Sequence, residues 1–176
     1  MTLDELYDKG CGELDLGKYE QALETFNSIL EQNSEYYKAL NKIGVLYARQ
    51  NDLGNAKEYF EMALDINPDY GPSLVNLGNI YKEVGDVELA KRYYEESIKV
   101  DVDYYLAYYN MACIYKERGD IEEYIKYIKK YKRLYKRHLD TPDYRKMIYN
   151  KRFKKVKNIF TALIVTVLVL IFMYLK

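Results

Sequence analysis

Residues 37–70 read YKALNKIGVLYARQNDLGNAKEYFEMALDINPDY, and the spacing of their apolar residues decides the fold. The first half of the stretch has apolar or small residues at i, i+3, i+4 and i+7, which lie on one face of a helix. These residues are Leu40, Ile43, Gly44 and Tyr47. The second half repeats the helical spacing with Ala56, Phe60, Ala63 and Leu64. Between the halves, Asn51 can end the first helix in a left-handed conformation and Asp52 can cap the second, so the stretch is predicted to be a helical hairpin.

The same pattern recurs along the chain with a period of 34 residues and no slip in register. This offset aligns one small residue from each unit, namely Gly10, Gly44, Gly78 and Ala112. It also aligns one larger apolar residue from each unit, namely Phe26, Phe60, Tyr94 and Ile128. Repeats of about this length are typical of helical hairpins that stack and bury one continuous core. We therefore predict an all-α fold, an α-solenoid of four hairpins over residues 1–138, with units of about 3–36, 37–70, 71–104 and 105–138.

This pattern resembles the tetratricopeptide repeat, and the second unit matches the consensus of that family best. The matching residues are Leu40, Ile43, Gly44, Tyr47, Ala56, Phe60, Ala63 and Pro68. The resemblance implies that the first helix of each unit lines a concave groove, which holds an extended peptide or a partner helix. Carried over by alignment, the groove candidates are Lys38, Asn41, Lys42, Arg49, Asn76, Asn79, Lys82, Tyr109, Asn110 and Lys116.

Asparagine recurs among the groove candidates of three successive units. The four residues are Asn41, Asn76, Asn79 and Asn110. Because an amide side chain offers both a donor and an acceptor, our hypothesis is that they hold the main chain of a peptide without reading its sequence. The alternative is that they are solvated polar residues with no ligand.

Nothing in the sequence is typical of an enzyme, a cofactor site or a metal site. His138 is the only histidine, and Cys11 and Cys113 lack the spacing of zinc ligands. No glycine-rich phosphate loop is present in the sequence. We therefore expect a protein that is not an enzyme, needs no cofactor and holds no metal.

The two ends of the chain carry opposite charge. Residues 1–125 contain 12 Lys and Arg against 25 Asp and Glu, whereas residues 126–176 contain 15 against 2. A basic end indicates an anionic partner surface. For the basic second helix of the last unit, three interpretations stay open: a solvated face beside the bilayer, a docking site for an acidic protein, and a nucleic-acid contact, which is the least favoured.

The last residues of the chain are predicted to form a membrane anchor. Residues 159–175 read IFTALIVTVLVLIFMYL, without a charge, and span about 26 Å as a helix, which is near the lower limit for a bilayer core. The flanking basic residues are Lys151, Arg152, Lys154, Lys155 and Lys157. By the positive-inside rule they place the N-terminal array in the cytoplasm. Residues 139–158 are predicted to form a basic amphipathic capping or juxtamembrane helix, with residues 145–157 near anionic headgroups.

These features together predict a membrane-anchored adaptor of the cytoplasm, which binds protein partners in its groove and gathers them at the membrane. We expect a single-pass protein, with its anchor in the cell membrane of a prokaryote. An alternative is a structural subunit or assembly factor of a membrane protein complex. Nucleic-acid tethering by the basic end is a distant third.

Overall fold

The computed structural model describes residues 1–142, which form eight α-helices joined by short turns. The helices are α1 (Leu3–Asp15), α2 (Tyr19–Gln32), α3 (Tyr37–Arg49), α4 (Leu53–Ile66), α5 (Gly71–Glu83), α6 (Val87–Val100), α7 (Tyr105–Arg118) and α8 (Ile121–Leu139). Both the first and the second helices of the hairpins begin at intervals of 34 residues. The predicted all-α repeat is therefore confirmed, with its register. By its internal contacts, the chain divides into two compact parts: the first is Met1–Tyr131, and the second begins at Lys132.

The turn inside each hairpin uses one residue in the left-handed region. That residue is Asn51 in the second unit, with φ of 62°, and Gly85 in the third, with φ of 89°. In the second and third units the next residue caps the following helix: Asp52 Oδ1 accepts a hydrogen bond from Asn55 N at 3.1 Å. Asp86 does the same for α6. The predicted turn chemistry is thus confirmed, because a left-handed residue ends one helix and a carboxylate satisfies the free N–H groups of the next.

Close packing inside the first three hairpins explains the recurring spacing of glycine and aromatic residues. A Cβ atom on Gly44 would lie 2.5 Å from Cε1 of Phe60 and 3.1 Å from the main-chain oxygen of Ala56. Gly10 faces Phe26 and Gly78 faces Tyr94 in the same way. All three rings are buried. The ring therefore occupies the space that a side chain on the glycine would need, and the two helices approach closely.

Tyrosine pairs also repeat with the period of the array. Each pair joins the two helices of one hairpin, with ring centroids 5.4 Å apart: Tyr47 with Tyr59, Tyr81 with Tyr93, and Tyr115 with Tyr127. In the first unit the equivalent residues are Glu13 and Thr25, and Thr25 Oγ1 donates to Glu13 Oε2 at 2.8 Å. These tyrosines pack within the array, and a hydrogen bond replaces the ring stack in the first unit.

The helix α8 ends at Leu139, where Thr141 Oγ1 donates to the main-chain oxygen of His138 at 2.8 Å. Among residues 1–142, none of the helices combines the length and the apolar character that crossing a membrane requires. The predicted span 159–175 and the predicted helix 139–158, apart from its first four residues, lie outside the described part of the chain. Both stay predictions.

Candidate peptide-binding groove

The first helices of the second, third and fourth units are joined side by side by hydrogen bonds between their side chains. We call the surface that α3, α5 and α7 present here the groove face; the ten candidates carried over by alignment belong to these three helices. The helices α3 and α5 are linked through Asn41, and α5 and α7 through Asn79. The groove face is therefore a surface built from several units.

Asn41 lies beneath the groove face. Its side chain is buried, with 3% of the residue exposed, and its Oδ1 accepts from Ser73 Oγ at 3.0 Å and from Asn76 Nδ2 at 2.8 Å. A buried amide is stable only when its polar atoms have partners, and both of these partners come from α5. Asn41 therefore supports the groove from below, which corrects the expectation that it faces a ligand.

Asn79 links the third unit to the fourth as Asn41 links the second to the third, although it is exposed and its repeat equivalent is Val45. Its Oδ1 accepts from the hydroxyl of Tyr94 at 2.8 Å and from Asn110 Nδ2 at 2.8 Å. Burial raises the pKa of Tyr94, so the hydroxyl stays protonated and donates at neutral pH. The oxygen of Asn79 is thus held inward, and its NH2 group is directed away from these two donors.

The hydrogen bonds fix which end of each amide is available to a ligand. Asn76 and Asn110 use their NH2 groups to reach the preceding unit. Within residues 1–142, no protein donor reaches Oδ1 of Asn76 or Oδ1 of Asn110. The groove face consequently presents acceptors from Asn76 and Asn110 and a donor from Asn79. An acceptor and a donor one helical turn apart match the alternating polar groups of an extended main chain.

A cavity of about 370 Å³ opens between α3 and α5. Three groove candidates line it, namely Arg49, Asn76 and Asn79. Its other lining residues are Val45, Ala48, Asn51, Leu53, Phe60, Ile80 and Glu83. The cavity therefore has apolar walls and a polar rim, and its volume lies at the lower end of the range for ligand pockets. The groove residues carried over by alignment do not include Ala48, Leu53, Phe60 and Ile80, because the space between two units is a product of their packing.

The charged candidates differ in their surroundings. Lys82 forms an ion pair with Glu117, with Nζ 2.7 Å from Oε1, and so links the third unit to the fourth. Arg49 lies over the ring of Tyr19, with its guanidinium carbon 5.8 Å from the ring centroid. Lys38 and Lys42 are half-buried, and Lys116 is exposed. Lys82 and Arg49 thus contact different neighbours, the fourth unit and the first.

A tyrosine and a cysteine pair at equivalent places in the first and last units. The Tyr7 hydroxyl contacts the Cys11 thiol, and the Tyr109 hydroxyl contacts the Cys113 thiol. Burial raises the pKa of Cys11, and nearby Lys42 offsets part of that rise. Tyr109 is 43% exposed and belongs to the predicted candidates. Within residues 1–142, no three His, Cys, Asp or Glu side chains are grouped as a metal site would require.

The predicted membrane-surface residues lie outside the described part of the chain. They are Lys151, Arg152, Lys154, Lys155 and Lys157, and their roles stay predictions.

Comparisons with known proteins agree with the repeat and the fold. Residues 7–71, 71–103 and 105–138 match models of the tetratricopeptide repeat. The crystal structure of MamA is similar, with a TM-score of 0.62 and 21% identity over 80% of this chain and 82% of that chain. The structure of MamA 41-end from Desulfovibrio magneticus RS-1 gives a TM-score of 0.60 and 17% identity over 80% of this chain and 78% of that chain. No curated protein sequence matches the chain. Identities this low show a shared fold alone, and the matches to the repeat models show that the chain belongs to the tetratricopeptide-repeat family.

Proposed function

We propose that this chain is an adaptor whose groove face binds an extended segment of a partner protein. The observation that carries the proposal is the fixed orientation of Asn76 and Asn79 at the cavity between α3 and α5. Their inward atoms are occupied by Asn41, Tyr94 and Asn110, so their outward atoms are one acceptor and one donor. An extended main chain supplies the complementary pair. Binding of this kind needs little rearrangement, because the amides are already oriented.

The cavity adds a second kind of contact, a pocket for one side chain of the partner. An apolar side chain of the partner can enter between Val45 and Ile80, while its main chain pairs with the amides at the rim. A volume of about 370 Å³ suits one side chain better than a whole folded surface. The partner segment is therefore expected to carry an apolar residue, with its neighbours free to vary.

The second part of the proposal is that residues 159–175 anchor the array in a membrane. Support comes from the sequence, in which 17 uncharged residues follow a basic flank. The positive-inside rule then orients the repeat array toward the cytoplasm. The proposal places the array at the cell membrane of a prokaryote, where it gathers its partners.

A variant that fills the cavity tests the groove. Ala48→Leu adds apolar volume where the equivalent residues of the other units are already large, namely Leu14, Lys82 and Lys116. The helix should therefore tolerate the leucine. Asn27→Leu is the matched control, because it adds the same side chain at an exposed position of α2, away from the cavity.

The assay is co-purification of partners with the full chain, extracted in a non-ionic detergent. We expect a partner that is present with the wild type and with Asn27→Leu to be lost with Ala48→Leu. If Ala48→Leu folds and retains the same partners, recognition does not use this cavity and the groove proposal is wrong.

The anchor is tested separately. The full chain should stay in the membrane pellet after washing at high salt and alkaline pH, and deletion of residues 159–176 should release it. Release of the full chain by those washes would show that peripheral contacts hold it at the membrane, and it would refute the anchor.

A further inference from the structure

A second concave surface lies between α6 and α8, apart from the groove face. A cavity of about 530 Å³ opens there, and we call it the α6–α8 groove. Its floor is apolar and is formed by Ile98, Tyr108 and Tyr127. The hydroxyl of Tyr108 donates to the main-chain oxygen of Val102 at 3.0 Å, so the polar tip of this ring has a partner and the ring offers its apolar part to the groove.

The rim of the α6–α8 groove is basic. Lys99, Lys126 and Lys130 line it, with Glu95 as the acidic lining residue. Two of the lysines lie over the aromatic floor: Lys130 Nζ is 5.3 Å from the ring centroid of Tyr108, and Lys126 Nζ is 5.6 Å from that of Tyr127. Lys126 Nζ also forms an ion pair with Glu123, 2.9 Å from its Oε2. Cation–π contacts of this kind hold the ammonium groups beside the cavity.

The equivalent surfaces of the other units have the opposite charge. One unit earlier, the three lysines are replaced by Asp65, Arg92 and Glu96, and two units earlier by Glu31, Glu58 and Met62. The repeat therefore folds with mainly acidic residues at these positions. Packing does not require lysine there, so the change of sign in the last unit needs another explanation.

We propose that the α6–α8 groove is a docking site for an acidic protein segment that inserts one apolar side chain between the lysines. Charge complementarity selects the acidic segment, because three lysines line the cavity against one glutamate, and Lys99 and Lys130 have no carboxylate partner among the ion pairs of residues 1–142. The apolar floor selects a segment with a leucine or an aromatic residue, since burying such a side chain stabilises the complex. A concave opening favours a chain that enters it over a flat bilayer surface. This site does not depend on the proposed function of the groove face.

The probe is a set of short fluorescent peptides in which Glu and Asp surround a central leucine. Binding is measured by fluorescence anisotropy with the full chain in a non-ionic detergent. The protein variant is Lys126→Glu/Lys130→Glu, which reverses the charge at the rim. The control is Lys129→Glu/Lys132→Glu, which makes the same change in net charge at two exposed residues of α8 that do not line the groove.

We expect the acidic peptide to bind and Lys126→Glu/Lys130→Glu to raise its Kd by about tenfold or more, with the control raising it by less than about threefold. Replacing the central leucine of the peptide by serine should weaken binding to the wild type by about tenfold, because the apolar contact is lost. That comparison stays valid even if the charge-reversed protein does not fold.

Three results would overturn the proposal. If the two protein variants weaken binding equally, the net charge of the protein alone attracts the peptide. If the peptide with serine binds as tightly as the peptide with leucine, the cavity does not take up an apolar side chain. If short-chain phosphatidylserine or an oligonucleotide binds the wild-type chain and the acidic peptides do not, the groove holds another class of ligand.

Discussion

Adding one methyl group at Gly44 should destabilise the second hairpin, although alanine is the better helix former. The intrinsic preference for alanine over glycine inside a helix is about 0.8 to 1.0 kcal/mol. Against this, the new Cβ would lie 2.5 Å from Cε1 and 2.7 Å from Cδ1 of Phe60, whose ring is fully enclosed. Overpacking of a core costs about 1 to 3 kcal/mol. We therefore expect Gly44→Ala to lower the free energy of unfolding by as much as about 2 kcal/mol.

The last unit of the chain suggests how to relieve this clash. It carries Ala112 and Ile128 where the second unit has Gly44 and Phe60, so the alanine coincides with a smaller partner. Phe60→Ile alone should destabilise the protein, because it leaves space in a closed core. The double variant should be less destabilised than the sum of the two single changes by about 1 kcal/mol or more, since each change compensates the other.

The measurement is urea unfolding of the full chain in detergent, followed by the far-ultraviolet circular dichroism of the helices. Gly12→Ala is the control, because Gly12 lies in α1 and a Cβ there would meet nothing within 4 Å. This control should stabilise the protein by about 0.5 to 1 kcal/mol. If Gly44→Ala stabilises the protein as Gly12→Ala does, or if the effects of the double variant are additive, the close approach at Gly44 does not limit packing and the reasoning is wrong.

Three further predictions follow from individual hydrogen bonds and one backbone angle. Tyr94→Phe should cost about 1 kcal/mol in the same unfolding assay, because it removes the bond to Asn79 and keeps the ring; no change in stability would mean that this bond is absent in solution. Asn51→Ala should cost about 1 to 2 kcal/mol, because alanine disfavours the φ of 62° at this turn, whereas Asn51→Gly should not destabilise the protein. Asp52 has a lowered pKa because the side chain and main chain of Asn55 donate to its carboxylate. The hydrogen bonds to ionised Asp52 should stabilise the protein at neutral pH. This stabilisation should be lost as the pH falls through the folded-state pKa of Asp52, which is lowered from 3.8. Asp52→Asn should remove that part of the pH dependence of the free energy of unfolding.

The repeat was predictable from the sequence because its determinants are local. The positions of Gly44 and Phe60 follow from helical spacing, and the turn at Asn51 follows from its own chemistry and that of Asp52. Each of these features depends on residues within one hairpin. A period that never slips then predicts the helix boundaries of the following units.

The groove was less predictable because its details depend on contacts between units. The alignment treats Asn41 and Asn79 as similar groove residues, yet Asn41 is 3% exposed and Asn79 is exposed. The neighbours of Asn41 include Ser73 and Asn76 of α5, which donate to its oxygen. Sequence spacing within α3 contains no information about which α5 side chains lie beside it.

Polar contacts between the first helices have a consequence for binding. Asn41 with Asn76, Asn79 with Asn110, and Lys82 with Glu117 all join a first helix to the next one. A groove whose walls are linked in this way loses less conformational freedom when a ligand enters it, which favours affinity without additional contacts. A substitution of Asn79 therefore affects the third and fourth units together, because its oxygen accepts hydrogen bonds from α6 and from α7. Substitutions in this network should therefore alter binding by moving the walls of the groove, even where the substituted atoms do not touch the ligand.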